Sequence, residues 1–277
     1  AKETSAVTTP VLAPVGVLGF VQLRGLAITA TLTCNDAQCQ VTLEQVYHIH
    51  NSDRIEGATL RLGLTGPNQG ASALDADAGL ALTDSRGTPL SPFENPDAFA
   101  AQWELPLGRD EHRTVTLRFS QPLGASQLLW WRLALDGLAG WSELGGLHVA
   151  LALPDALDEN VLLSVAPASY GFDRRVLTWD TEQTTAPEPV SVQMIAPPAW
   201  SELQSLRAAS NHAGLARFLT SLGAAGAQAS IALPDYADEI LAHWEAAAQA
   251  NPSDPTPHLE LAQLYQARAA AQPSSQL

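Results

Sequence analysis

Apolar and polar residues alternate with period two through most of the first 195 positions, and that alternation predicts strands. It is clearest between Val21 and Leu64. There Leu26, Ile28, Ala30 and Leu32 alternate with Ala27, Thr29, Thr31 and Thr33, as on a strand with one buried face. After a short turn, Val41, Leu43, Tyr47 and Ile49 take one face, and Thr42, Glu44, His48 and His50 the other. Asn51-Ser52-Asp53 turns the chain, and Ala58, Leu60, Leu62 and Leu64 point inward on a third strand. Three successive antiparallel strands are expected, and such a meander needs a second sheet over its apolar face.

Residues 65–100 are rich in Gly, Pro, Asn and Asp and read as long loops around one hairpin, Leu80 to Leu90, turning at Ser85-Arg86-Gly87. Strand patterns return at 102–107, 114–120, 127–135, 147–153, 161–165, 176–179 and 190–195. With no helical crossover between them, the fold class is mainly β: an antiparallel β-sandwich, either one elaborated sandwich or two abutting ones split near 137–146. Residues 1–14, rich in Thr, Ala and Pro, read as an extended leader, so the sandwich region spans 15–197.

At Pro197-Pro198 the strand pattern stops and Ala, Leu, Gln and Glu dominate. Helices are predicted over 199–209, 211–223, 234–250 and 255–271. Prolines begin the last two, and Asp254 suits the N-cap of the fourth. This α-helical region, 198–277, is small for an independent domain and is expected to pack on the sandwich or on another molecule.

Composition narrows the function. The chain of 277 residues is 46% hydrophobic, enough for a substantial core. Its 29 acidic and 14 basic residues give a net charge of -15, and Lys2 is the only lysine. Such a surface repels phosphates, which argues against nucleic acid and anionic membranes as partners. Cys34 and Cys39 lie at the tip of the first predicted hairpin, a placement that favours a local disulfide and therefore an oxidising, extracytoplasmic compartment over a reducing cytosol. A lone C-x4-C pair is not a zinc site. The apolar run Val11 to Val21 is too short to span a bilayer and is interrupted by Pro14, Gly16 and Gly19. A start without Met or signal peptide fits a mature chain whose targeting or anchoring segment has been removed, so any membrane attachment would run through that segment.

Candidate chemistry is sparse. His48 and His50, with Glu44 on the same strand face, have a spacing that could share a metal, but an exposed polar face explains them equally. Asp75, Asp77 and Asp84 around Gly79 could offer carboxylates to Ca²⁺, yet their order fits no standard calcium loop. The sequence has no G-x-S-x-G elbow and no phosphate-cradling glycine motif. No catalytic residue, metal or cofactor is therefore assigned. Trp103, Trp130, Trp131, Trp141 and Trp179 could build a sugar-stacking platform, although tryptophans on alternating strands usually pack inward. Trp130 and Trp131 must point to opposite faces, so a second domain is expected over one of them.

Two stretches carry family resemblances. In the tail, Trp244, Ala247 and Pro252 stand at the aromatic, small and proline positions of a tetratricopeptide second helix, and Leu261, Ala262 and Tyr265 match the following L-G/A-x-x-Y signature. The tail thus resembles a partial tetratricopeptide repeat, with His258 where that family usually has Trp and a poor fit over Trp200 to Gly223. The resemblance implies contacts with other protein subunits, a second copy of this chain among them, through Trp244, His258, Leu261 and Tyr265. Toward the N-terminus, Val46 to Asn51, Ile55 to Ala58 and Leu62 to Leu64, with the later EHRTVTLRFSQPL, resemble more weakly the vault/inter-alpha-trypsin (VIT) sandwich domain. No D-x-S-x-S metal motif of that family's usual companion domain follows.

The function these readings imply is that of a non-enzymatic extracytoplasmic structural or interaction protein, an assembly or scaffold subunit at the cell envelope. The alternative is a carbohydrate- or ligand-binding sandwich module. A hydrolase using loop carboxylates is a third.

Overall fold

The computed structural model describes residues 6–16, 19–35, 38–64, 79–92, 101–124, 126–141, 143–155, 157–182 and 187–271. Among them run the strands β1 (Val7–Thr9), β2 (Leu12–Pro14), β3 (Val21–Cys34), β4 (Cys39–Asn51), β5 (Ala58–Leu64), β6 (Ala81–Asp84), β7 (Pro89–Leu90), β8 (Ala101–Leu107), β9 (His112–Gly124) and β10 (Leu128–Leu133). After them come β11 (Leu144–Ala152), β12 (Leu162–Ala166), β13 (Gly171–Asp173), β14 (Val176–Thr181) and β15 (Val190–Ile195). The chain then turns helical in α1 (Pro197–Ala208), α2 (His212–Ala229), α3 (Ala237–Ala250) and α4 (Pro255–Ala271). The mainly β body with a helical tail matches the fold class expected from the alternation.

The pairing departs from a simple meander. β13-β14-β11-β3-β4-β9-β6-β7 form an eight-stranded sheet, β1-β10-β15-β12 a four-stranded one and β2-β5-β8 a three-stranded one. β3 and β4 pair as predicted, but β5 leaves them: β4 pairs with β9, and β5 pairs with β8 and β2. Two pairs are parallel, β1 with β10 and β3 with β11. Strands from both sides of residues 137–146 thus share the eight-stranded sheet, and one hydrophobic cluster runs through all three sheets. Where β11 enters beside β3, a bulge at Arg24 turns its carbonyl toward Gly145, and a side chain at 145 would collide with that oxygen.

The leader reading is corrected. Residues 7–14 are strands β1 and β2, with Thr9, Val11 and Leu12 almost wholly buried. The segment passes from the four-stranded sheet to the three-stranded one across the inner face of β4 and β9, and buried polar side chains hold it there. Gln45 Nε2 donates to Pro10 O at 2.8 Å, Leu12 N to Tyr47 Oη at 2.8 Å, and Tyr47 Oη to Gln45 Oε1 at 2.5 Å. Thr9 Oγ1 donates to Gln121 Oε1 at 2.8 Å and accepts from Trp131 Nε1 at 2.8 Å, while Gln121 Nε2 donates to Thr8 O at 3.0 Å. Three residues per strand offer no legible period, so these contacts rather than local propensity explain the two strands.

Cys34 and Cys39 form a disulfide across the β3–β4 turn, where Asn35 and Gln38 also bond to each other. Because the loop it closes is short, the chain-entropy gain is only about 2 kcal/mol. Replacing both cysteines by serine is expected to lower the urea-unfolding free energy by no more than that and to leave the circular dichroism spectrum unchanged.

The predicted helix starts hold to within three residues, and Asp254 caps α4 by accepting from Thr256 N at 2.9 Å. α2 runs six residues past its expected end, through Gly223 and Gly226, and stops at Ser230 in the left-handed region (φ 55°). The tail packs on the sandwich through α1 and α2. Trp200, Leu203, Leu215, Phe218, Leu219 and Leu222 join the main core, and Gln127 Nε2 donates to Ser221 Oγ at 3.0 Å.

Candidate interaction surface

Helices α2, α3 and α4 carry a second small apolar cluster of Ala216, Trp244 and Ala247, against which Ala213, Ile240, Leu261 and Leu264 pack. Trp244 is its centre, only 2% exposed, with the Arg217 guanidinium 5.7 Å from its ring centroid. The tetratricopeptide resemblance placed Trp244 among the partner contacts. The structure corrects this: Trp244 belongs to the core and cannot touch a partner. Leu261 is half-buried on the same cluster.

The outer side of α4 is different. Pro257 is its sole buried residue among those whose burial is described, and Leu259 and Tyr265 are 60% and 49% exposed. Tyr265 leans back on α3, donating to Glu245 Oε1 at 2.6 Å, and that carboxylate pushes its phenol above the usual range. Arg268 pairs with Asp238 and ties the far end of α4 to α3. His258 is exposed and sits 3.3 Å from the carbonyl of Pro252. His258, Ala262, Tyr265 and Ala269 recur at three- and four-residue spacing, so they form one uncovered stripe along α4. Leu259, off the Leu261/Leu264 inner stripe, is an exposed apolar residue that the sequence reading did not single out; its helical phase was the available signal.

On the sandwich, the His48, His50 and Glu44 grouping does not converge. Glu44 pairs with Arg118 at 2.6 Å, His48 Nδ1 meets Thr114 Oγ1 at 3.1 Å, and His50 Nε2 meets Asp110 Oδ1 at 3.0 Å. The His50 ring stacks on His112 with centroids 3.9 Å apart, and its hydrogen bond holds the Asp110 carboxyl below the usual range. Among the described residues no three His, Cys, Asp or Glu side chains gather as a metal set. Asp75 and Asp77 lie outside the described residues. Asp84 accepts from Thr88 N and Arg86 N, which keeps its carboxyl below the usual range and accounts for it as a turn cap.

Trp103, Trp131, Trp141 and Trp179 are buried and Trp130 is half-buried with its Nε1 donating to Ser191 Oγ, so they form no open stacking platform. Among the described residues the sandwich surface includes two cavities. One of about 220 Å³ lies between Val15, Val21, Asn51 and Leu60, with the 63%-exposed Phe20 at its rim. The other, about 240 Å³, lies beside Leu147, Trp179, Asp180 and Val190. Both fall below the roughly 300–1,000 Å³ typical of small-molecule sites. No helix among the described residues is long and apolar enough to cross a membrane.

Among the described residues the architecture is therefore that of a three-sheet β-sandwich with a four-helix C-terminal appendage. No family model matches the chain, and no curated protein matches its sequence. Among solved structures it is similar to a "putative nutrient binding protein" of Legionella pneumophila, at 13% identity over 73% of each chain and a TM-score of 0.55, a likeness of fold. A second, an M1 zinc metallopeptidase from Deinococcus radiodurans, gives 10% identity and a TM-score of 0.36 over 63% of this chain and 42% of the other. Yeast LTA4 hydrolase gives 9% and 0.39 over 63% and 29%. The chain spans less than half the length of these two enzymes.

Proposed function

We propose that the protein is a non-catalytic extracytoplasmic interaction protein, an assembly or scaffold subunit at the cell envelope, whose α4 receives a helix from another protein subunit. The observation that carries this is the bare outer stripe of α4. Its inner side is anchored on Trp244 through Leu261 and Leu264, so the helix is held firmly while Ala262 and Tyr265 stay open. Small residues beside a large one let a second helix approach closely, the arrangement by which helical repeats stack. The likeness of Leu261, Ala262 and Tyr265 to a tetratricopeptide first helix supports the same reading. The Cys34–Cys39 disulfide and the acidic, nearly lysine-free surface support an oxidising compartment and a protein partner.

A photo-crosslinking residue at Ala262, with one at the exposed Thr31 of β3 as control, tests it. In native envelope material the first position is expected to yield a discrete protein adduct and the second none. Equal labelling at both positions, or none at Ala262, would count against the proposal.

A second reading, a ligand-binding sandwich, rests on the cavity beside Trp179. It draws further support from the fold shared with the "putative nutrient binding protein" of Legionella pneumophila. Saturable quenching of indole fluorescence by a sugar, abolished in Trp179→Phe, would favour it over docking.

A further inference from the structure

Away from α4, two imidazoles from different helices face each other. His212 is the first residue of α2 and His243 lies in the middle of α3, and their Nδ1 atoms are 3.2 Å apart. The rings sit 5.4 Å centroid to centroid and 34° from coplanar, so this is an edge-on approach of nitrogens and not a stack. The stacked pair His50 and His112 shows the contrast.

Two nitrogens so placed either share one proton or share a cation. Ligand nitrogens bound at about 2.0–2.1 Å to one tetrahedral ion lie about 3.3–3.4 Å apart, so the observed separation needs almost no adjustment to become a chelate. The surroundings favour that use. The other nitrogen of His243, Nε2, faces Glu239 Oε1 at 3.7 Å, and Glu239 is held from α1 by Arg207 Nη2 at 3.4 Å. At 3.7 Å that carboxylate lies beyond hydrogen-bond reach of Nε2, but its charge stands behind the distal nitrogen, the side from which a carboxylate supports a metal-bound histidine. The His243 side chain is 20% exposed, open to an ion from solvent, and the net charge of -15 draws cations toward the surface.

We infer that His212 and His243 form a two-histidine site for a borderline divalent cation of the zinc class, with water completing its coordination. Imidazole pairs suit Zn²⁺, Ni²⁺ and Cu²⁺ and not Ca²⁺ or Mg²⁺. The bound ion would tie α2 to α3, the helix on which α4 is mounted.

The test uses the full chain, freed of metal by chelation and carrying no histidine tag. Titration with ZnCl₂ by calorimetry is expected to show one site per chain, lost in His212→Ala and in His243→Ala and kept in His112→Ala. Glu239→Gln is expected to weaken it by about tenfold or more. Should the alanine variants misfold, wild-type protein still decides the matter: Zn²⁺ should protect His212 and His243, but not the exposed His258, from diethylpyrocarbonate modification read by mass spectrometry. Zinc binding that survives the double variant, an absence of binding, or protection that does not single out His212 and His243 would overturn the inference.

Discussion

A chain that starts at Val15 is expected not to fold. Such a truncation looks harmless in a Thr- and Pro-rich leader, but it removes β1 from the four-stranded sheet and β2 from the three-stranded one. Loss of buried Val11 and Leu12 forfeits about 1.5–3 kcal/mol each. Gln45, Gln121, Trp131 and Tyr47 are left with polar atoms facing an empty slot, at about 1–3 kcal/mol for each one unsatisfied. Against a total stability of about 5–15 kcal/mol for a typical domain, these losses are comparable to the whole. Circular dichroism and urea unfolding check it: the truncated chain should lose its cooperative transition. A cooperative transition within about 2 kcal/mol of the full chain would show that the segment merely lies on a self-sufficient sandwich.

The second large effect comes from one oxygen atom. Tyr47 is wholly buried, and its hydroxyl is both the acceptor for Leu12 N and the donor to Gln45 Oε1. Tyr47→Phe keeps the ring and orphans both groups in a place sealed from water, at a cost of about 2–4 kcal/mol. The melting temperature should fall by roughly 5–12 °C. The same burial pushes the phenol far above its usual range. In the unfolded chain that phenol ionises near pH 10, while in the folded protein it stays neutral. Above that pH the unfolded state therefore releases a proton that the folded state keeps, and stability falls by about 1.4 kcal/mol per pH unit. Urea unfolding between pH 8 and 11 should show this alkaline loss in the wild type and a shallower one in Tyr47→Phe. The remaining slope in the variant is expected from Tyr170, Tyr236 and Tyr265, whose phenols are also shifted upward. Parallel curves for the two proteins would mean that water reaches the Tyr47 hydroxyl.

How much of this was legible differs from element to element. The inward set Val41, Leu43, Tyr47 and Ile49 is buried as the alternation required, because a two-residue period states which face a side chain takes. It does not state which strand lies alongside, so the passage of β5 into another sheet and the parallel pairing of β3 with β11 were invisible locally. Gln45 and His50 are buried polar residues on β4. Gln45 bonds to Pro10, 35 positions away, and His50 to Asp110, 60 positions away, beyond any window of pattern. In the tail, the tetratricopeptide resemblance grouped Trp244, Leu261 and Tyr265, but only the packing separated the buried Trp244 from the open Tyr265. His212 and His243, 31 positions apart on two helices, belonged to no motif at all.

By itself, then, the sequence determined the β body, a helical tail after the Pro197-Pro198 break, the disulfide-bearing hairpin and the anionic surface, because each depends on local period, turn chemistry or composition. Tertiary structure alone decided that residues 7–14 are strands, that three sheets share one core, which face of α4 stays open and that two histidines meet. Those features rest on long-range contacts, whose free energy appears only when segments far apart in the chain close on one another.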